Sequence, residues 1–287
     1  MRPLITKPGF YPDVAPEQYF AEPCPAPALT NSGIRTLLSS CPAKFAFGHP
    51  AIGQSPEEQT DSAARRRGNL VHRLALGKGS EYAISPHDAF RSKEAKAWRD
   101  ETIEAGLMPV KQDEFEQAEA MAAIIREAIE TETRGHPYQT EVVIAWRHGQ
   151  FGFWCRGMVD VWCPALNLAL DVKTCADASD RAIERAFANG YAGQAAWYQD
   201  GLEAISESNE RPSFGFLFVE SDPPHLYRFA ECSEGFRHGA SIANERGAAI
   251  FAQCLKAGKW PGYEPLKAQP PSWWLSQITD YELEEAA

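Results

Sequence analysis

Two aspartates and a lysine lie within fourteen positions of one another, Asp160, Asp171 and Lys173, in the stretch FGFWCRGMVDVWCPALNLALDVKT (151–174). The stretch predicts two strands, 153–162 and 168–174, around the turn residues Cys163-Pro164-Ala165-Leu166-Asn167. With Pro164 to Asn167 as the loop, antiparallel pairing sets Cys163 against Leu168 and, counting outward, Asp160 against Asp171. Opposed side chains have Cβ atoms about 5 Å apart. Two carboxylates at such range repel by roughly 4 kcal/mol at an effective dielectric near 20. A proton or a cation between them removes that repulsion. Lys173 is two residues along and shares the face of Asp171, while Leu168, Leu170, Val172 and Thr174 form a second face that can pack on a core. Two acids and a lysine on one side of a strand with a greasy back have the makings of a site.

Other polar residues fall where helices could carry them to that hairpin. Residues 61–76 predict a helix with Asp61 or Ser62 as N-cap and Gly77 as its stop. Gly68 and His72 share one face of it. The basic residues concentrate here, in AARRRGNLVHR (63–73), so Arg65, Arg66, Arg67 and Arg73 spread around this helix. They are either a solvated face or phosphate contacts. A helix over 192–206 carries Gln194 and Tyr198 one turn apart. Glu141 opens a strand, 141–147, that turns through His148-Gly149-Gln150 into the hairpin; it is a possible accessory acid or merely a soluble strand end.

The remaining elements must position these groups. Residues 1–28 are proline-rich and aperiodic and read as an irregular arm. A short helix capped by Thr30, Asn31 or Ser32 runs through Leu38, and a second starts at Pro42. Residues 51–60 are a polar linker, and 92–105 predict a helix. The strongest amphipathic pattern is 112–133, with Phe115, Ala118, Met121, Ala122, Ile125 and Ile129 at three- and four-residue spacing, and its role is packing. A helix over 180–189 ends at Gly190. A strand over 213–220 pairs with 224–230, and a final helix, 233–257, ends at Gly258. The tail WPGYEPLKAQPPSWW is expected to wrap over the domain. There is no internal repeat. The chain divides into an arm with short helices (1–60), a core (61–265) and a tail (266–287).

Composition is that of a soluble globular chain, 44% hydrophobic and 23% charged. No apolar run suggests a transmembrane helix, and the first residues lack the hydrophobic stretch of a signal peptide. Seven scattered cysteines without a C-x-x-C pair point to a reducing, cytoplasmic setting. The net charge of −11 counts against nucleic-acid binding as a whole, although acidic stretches at 94–132 and 280–287 conceal the basic cluster.

Gly157-Met158-Val159-Asp160 followed by Asp171-Val172-Lys173-Thr174 resembles the paired signature of the PD-(D/E)XK nuclease superfamily. Three further stretches resemble its RecE-type and RecB-type branches: the opening LTNSGIRTLLSSCPAKF, the helix with Gly68 and His72 (G-x-x-x-H), and Tyr191-Ala192-Gly193-Gln194-Ala195-Ala196-Trp197-Tyr198 (Q-x-x-x-Y). The order and spacing are most similar to RecE-type exonucleases, exonuclease VIII and related phage proteins. One departure is Gly157, in R-G-M-V-D, where those proteins usually read R-P-D, which loosens the register around Asp160.

The resemblance implies an α/β (α+β) fold with a restriction-endonuclease-like core, a central mixed β-sheet flanked by helices. It implies catalytic Asp160, Asp171 and Lys173, and Mg²⁺ or Mn²⁺ held by Asp160, Asp171, His72 and the Val172 carbonyl. Gln194, Tyr198, Arg156 and Arg67 would contact DNA or orient the site, with Glu141 as an accessory acid. It further implies 5′ to 3′ digestion of linear double-stranded DNA ends for recombination, a single-strand annealing partner and a ring-shaped homo-oligomer. Iron–sulfur relatives use a cysteine near Cys41 with three clustered C-terminal ones. Only Cys232 and Cys254 are present there, so no cluster is expected. Two alternatives stay open: a RecB-like or Cas4-like single-strand nuclease, and a non-catalytic DNA-binding module on a nuclease fold.

Overall fold

A computed structural model describes residues 4–53, 62–206, 210–276 and 278 of the chain. Its first half runs β1 (Gly9–Tyr11), α1 (Pro16–Phe20), β2 (Ala28–Leu29), α2 (Asn31–Ser39), α3 (Pro42–Gly48), α4 (Ala63–Leu76), β3 (Tyr82–Ile84), α5 (Lys93–Glu104), β4 (Met108–Val110) and α6 (Gln112–Thr133). Then follow β5 (Gln139–Arg147), β6 (Trp154–Cys163), β7 (Leu168–Cys175), α7 (Asp180–Ala186), α8 (Ala192–Ile205), β8 (Ser213–Glu220), β9 (Tyr227–Glu231) and α9 (Glu234–Ala257). The helix ends follow from their capping residues. The hydroxyls of Thr30 and Ser62 accept from the N–H groups of Gly33 and Arg65, and Gly77 and Gly258 stop α4 and α9 at φ +74° and +62°. The alternative cap Asp61 lies outside the described residues.

The main sheet has the order β1-β5-β6-β7-β8-β9, with β2 added alongside β6. Its central meander β5-β6-β7 is antiparallel, β7 and β8 are parallel, and β9 returns antiparallel. It is therefore a mixed sheet, and helices cover both faces. On one face Ile34, Phe45, Trp197 and Phe251 pack against Val142, Ile144 and Phe216. On the other, Leu70, Val71, Met121 and Ile125 pack against Val161, Leu170, Val172 and Leu217. The expected greasy back of β7 is thus the second face, but the face of Asp171 is buried too, because α7, α8 and α9 cover it.

Three expectations need correcting. The arm is not irregular: Phe10 pairs with Ile144 and Leu29 with Cys155, and Ile5 is fully buried. These strands are two and three residues long, too short to show an alternating pattern. For the same reason the parallel pair β3–β4 was not foreseen. The tail wraps only at its start, where Trp260 packs on Phe45 and Phe251; Trp273 and Trp274 are exposed. Among the described residues no helix is long and apolar enough to cross a membrane.

Candidate active site

The hairpin register follows from its loop. Pro164–Leu166 make one helical turn, Asn167 takes the left-handed conformation at φ +48°, and Cys163 pairs with Leu168. The ladder runs on to Val161–Leu170 and stops one step short of the aspartates. There the Val172 N–H donates to Asp160 Oδ2 at 2.7 Å, so a carboxylate replaces the next backbone acceptor. Two features account for the parting of the strands. Glu141, across β5 from this point, has φ +48°. Alternation also breaks at Asp160: Cys155 and Val159 belong to the first core, but Val161 and Cys163 to the second.

Helix α4 delivers His72 to this gap. Its Nε2 lies 3.0 Å from the Val172 carbonyl oxygen and 3.7 Å from Asp160 Oδ2. Gly68, one turn earlier, faces Thr174 across the same approach. Helix α8 delivers Gln194, whose amide donates to Asp171 Oδ1, while the Lys173 ammonium pairs with Asp171 Oδ2. Tyr191 and Phe216 hold Lys173 from beneath, with ring centroids 5.2 and 5.8 Å from its Nζ. Tyr198 lies flat on Gly157: a Cβ there would stand 2.7 Å from the ring. The glycine that departs from the R-P-D pattern is therefore the seat of Tyr198.

Electrostatics reflect the crowding. Burial lifts the Asp171 carboxyl to about 6; Lys173 opposes the lift and Asp160 adds to it. For Lys173 burial favours loss of the proton, but Asp171 and Asp160 outweigh it and hold the ammonium above its usual range. Burial and then Asp160 raise the Glu141 carboxyl, against His72, Lys78 and Arg73. Glu141 is thus an electrostatic neighbour of the pair, and its buried Oε2 has no hydrogen-bond partner. Lys78, bonded to the carbonyls of Pro12 and Thr140, is a neighbour the sequence did not point to.

Two of the expected residues are elsewhere. Arg156 is buried against the arm, donating to the Tyr19 carbonyl at 2.6 Å and to Glu22. It adjoins Gly157 in β6, and alternation sends its side chain the other way. Arg67 is exposed on α4, where it lines a hollow with Met108, Val110 and Glu114 rather than the gap of the acid pair.

A divalent cation fits the chemistry of this donor set. Carboxylates and a carbonyl are hard oxygen ligands, and Glu141 supplies an unsatisfied one. His72 Nε2 and the Val172 oxygen are at hydrogen-bond distance, 3.0 Å, so both would be at hand to hold a cation in the gap. Among the described residues no three acid, histidine or cysteine side chains are already arranged as a metal cluster.

A mixed sheet flanked by helices, with Asp160 on one strand and Asp171-x-Lys173 on the next, defines a PD-(D/E)XK-like fold. The chain belongs to the family described as "PDDEXK-like domain of unknown function" (DUF3799), whose model matches residues 32–266. No curated protein matches it. A crystal structure from Eubacterium rectale, described as a "Putative exonuclease", superposes with a TM-score of 0.56 at 16% identity, covering 88% of this chain and 92% of that one. A phage related exonuclease from Haemophilus somnus 129PT aligns with a TM-score of 0.34 at 14% identity, covering 81% and 96%.

Proposed function

We propose that the protein is a metal-dependent DNA exonuclease of the RecE type, hydrolysing phosphodiester bonds from the ends of linear double-stranded DNA, 5′ to 3′, to expose single strands for recombination. The observation that carries this reading is the gap between β6 and β7, where Asp160, Asp171, Lys173 and His72 meet on a PD-(D/E)XK-like fold. Asp160, Asp171, His72 and the Val172 carbonyl would hold Mg²⁺ or Mn²⁺, with Glu141 at the edge. Such an ion, when bound, polarises a phosphoryl oxygen and lowers the pKa of bound water. Lys173 keeps its proton beside two carboxylates, so it serves as a fixed cation. Its N–H groups orient the attacking water and stabilise the negative charge that grows on the phosphoryl group. Gln194 sets the plane of the Asp171 carboxylate, and Arg67, exposed on α4, would contact the phosphate backbone. A ring-shaped oligomer and a single-strand annealing partner belong to the same reading.

Release of acid-soluble nucleotides from linear duplex DNA tests it, with Mg²⁺, Mn²⁺ or EDTA. Hydrolysis should require the metal, spare covalently closed circles, and fall about 10²–10³-fold in Lys173→Ala. End-labelled duplexes report the polarity. Preference for single strands would favour the RecB-like alternative, and retention of activity in Lys173→Ala would displace the site. DNA binding without hydrolysis under either metal would leave a binding module.

A further inference from the structure

The break in the sheet has a third acid beside the pair. The β5–β6 ladder joins Thr140 to Val161 and Val142 to Val159, and the positions between them, Glu141 and Asp160, are skipped. Glu141 thus stands across from Asp160 on β5, as Asp171 does on β7. Its backbone is left-handed at φ +48°, a conformation that a residue with a side chain keeps only where its surroundings impose it. Its Oε2 is buried without a hydrogen-bond partner. Among the described residues these acids and His72 are not drawn together as a metal cluster. Whether a cation can gather them therefore depends on the elements that carry them.

The constraint on Glu141 comes from the turn that follows α4. Gly77 and Gly79 both take positive φ there, +74° and +111°. Arg73 braces the turn from within the helix, donating to the Gly77 carbonyl at 2.5 Å and to Glu81 Oε1 at 2.6 Å. Gly79 lies against the acid, where a Cβ would stand 4.0 Å from Glu141 Oε1. Between the glycines is Lys78, half-buried, whose ammonium donates to the carbonyls of Pro12 at 2.9 Å and Thr140 at 2.8 Å. The Thr140 carbonyl belongs to the peptide that leads into Glu141, so this charge-assisted bond fixes the plane next to the left-handed residue. Pro12 follows β1, which pairs with β5 at Val143–Ala145. One side chain thus ties the end of α4, the arm and β5 together. Helix α4 also carries His72, so the same tie sets His72 relative to Glu141.

On the metal-dependent reading of the site, we propose that Lys78 is a positioning residue for the cation. It locks the turn after α4 to Thr140 and to the arm, and so holds the Glu141 carboxylate beside Asp160, at hand when the ion binds. Lys78 itself touches neither cation nor substrate, because its donors are spent on two backbone carbonyls. Its effect reaches the ion through Glu141, as groups behind a metal ligand fix that ligand's orientation.

Mn²⁺ binding to the full chain, followed by loss of the free ion's electron paramagnetic resonance signal, tests this without DNA or turnover. Lys78→Met keeps the stem, removes the donors, and should weaken binding about 10-fold or more. Lys78→Arg can still donate to both carbonyls and should recover most of the affinity. A double-mutant cycle separates positioning from support of the fold. Glu141→Gln should weaken binding alone, and on that background Lys78→Met should add little. If Lys78→Met does not fold, Lys78→Gln, too short to span both carbonyls, carries the same cycle. Unchanged affinity in the Lys78 variant, or the same loss with and without the Glu141 carboxylate, would overturn the proposal. A wild type that binds no Mn²⁺ would overturn the metal-dependent reading itself, and the role of Lys78 with it.

Discussion

At the scale of single residues the chain keeps charge in two buried places and treats it differently in each. In the candidate active site Lys173 balances Asp171, and the repulsion between Asp171 and Asp160 is what a bound cation would relieve. Under the arm, Glu22 accepts from the N–H groups of Cys24 and Ala28 and from Arg156, with His49 3.3 Å away. His49 is neutral there. The Ala51 N–H donates to Nδ1, so the proton resides on Nε2, which donates to the Ala28 carbonyl. Burial lowers its pKa below 6.5, against the pull of Glu22 and with the push of Arg156. An unfolded histidine takes up a proton below about 6.5 that the folded one refuses, so this contribution to stability is complete above that pH and is lost as pH falls. The urea midpoint should therefore drop between pH 7.5 and 5.5 by more in the wild type than in His49→Gln; equal drops would show that His49 stays out of the linkage. The acid pair was legible in part because a four-residue loop sets a register that leads towards Asp160 and Asp171, although the ladder ends at Val161–Leu170, one step before them. The left-handed Glu141 and the burial of Arg156 depend on the arm and on β5, which local patterns do not report.

At the scale of elements, α4 and α8 grip the hairpin from opposite faces, and each does so over a glycine. The two glycines are not equivalent. A Cβ at Gly68 would stand 3.6 Å from the Thr174 hydroxyl, an ordinary contact. Gly68→Ala should be accepted and, through helix propensity, raise stability by up to about 1 kcal/mol. A Cβ at Gly157 would stand 2.7 Å from the Tyr198 ring, which on its other side packs edge-on against Phe214. Gly157→Ala should cost about 1–3 kcal/mol. It should also lower hydrolysis, because the shift of α8 carries Gln194 off Asp171. Thermal unfolding of the pair of variants, with nuclease assays on both, checks this; a stable and fully active Gly157→Ala would remove α8 from the account. The long helices were readable from their period and caps. The two- and three-residue strands were not, since pairing partners far along the chain are what make them strands.

At the scale of the whole molecule, the proposed function asks a protein of net charge −11 to approach a polyanion by a basic surface. The α4 cluster is that surface in our reading. Arg73 is already committed to Glu81 and to the Gly77 carbonyl, whereas Arg65 and Arg67 are exposed on the first turns of the helix. Each phosphate contact releases condensed counterions and adds about 0.9 to the slope of log K against log salt for duplex DNA. If both arginines reach phosphates, Arg65→Ala/Arg67→Ala should flatten that slope by about 2 and weaken binding evenly across sequences. The measurement belongs on a Lys173→Ala background, so that binding is read without cleavage. A variant that binds more weakly with the slope unchanged would mean that the helix shapes the site without touching DNA. An unchanged affinity would mean that the acidic surface is overcome elsewhere, such as by several copies of the chain presenting their basic helices to one duplex.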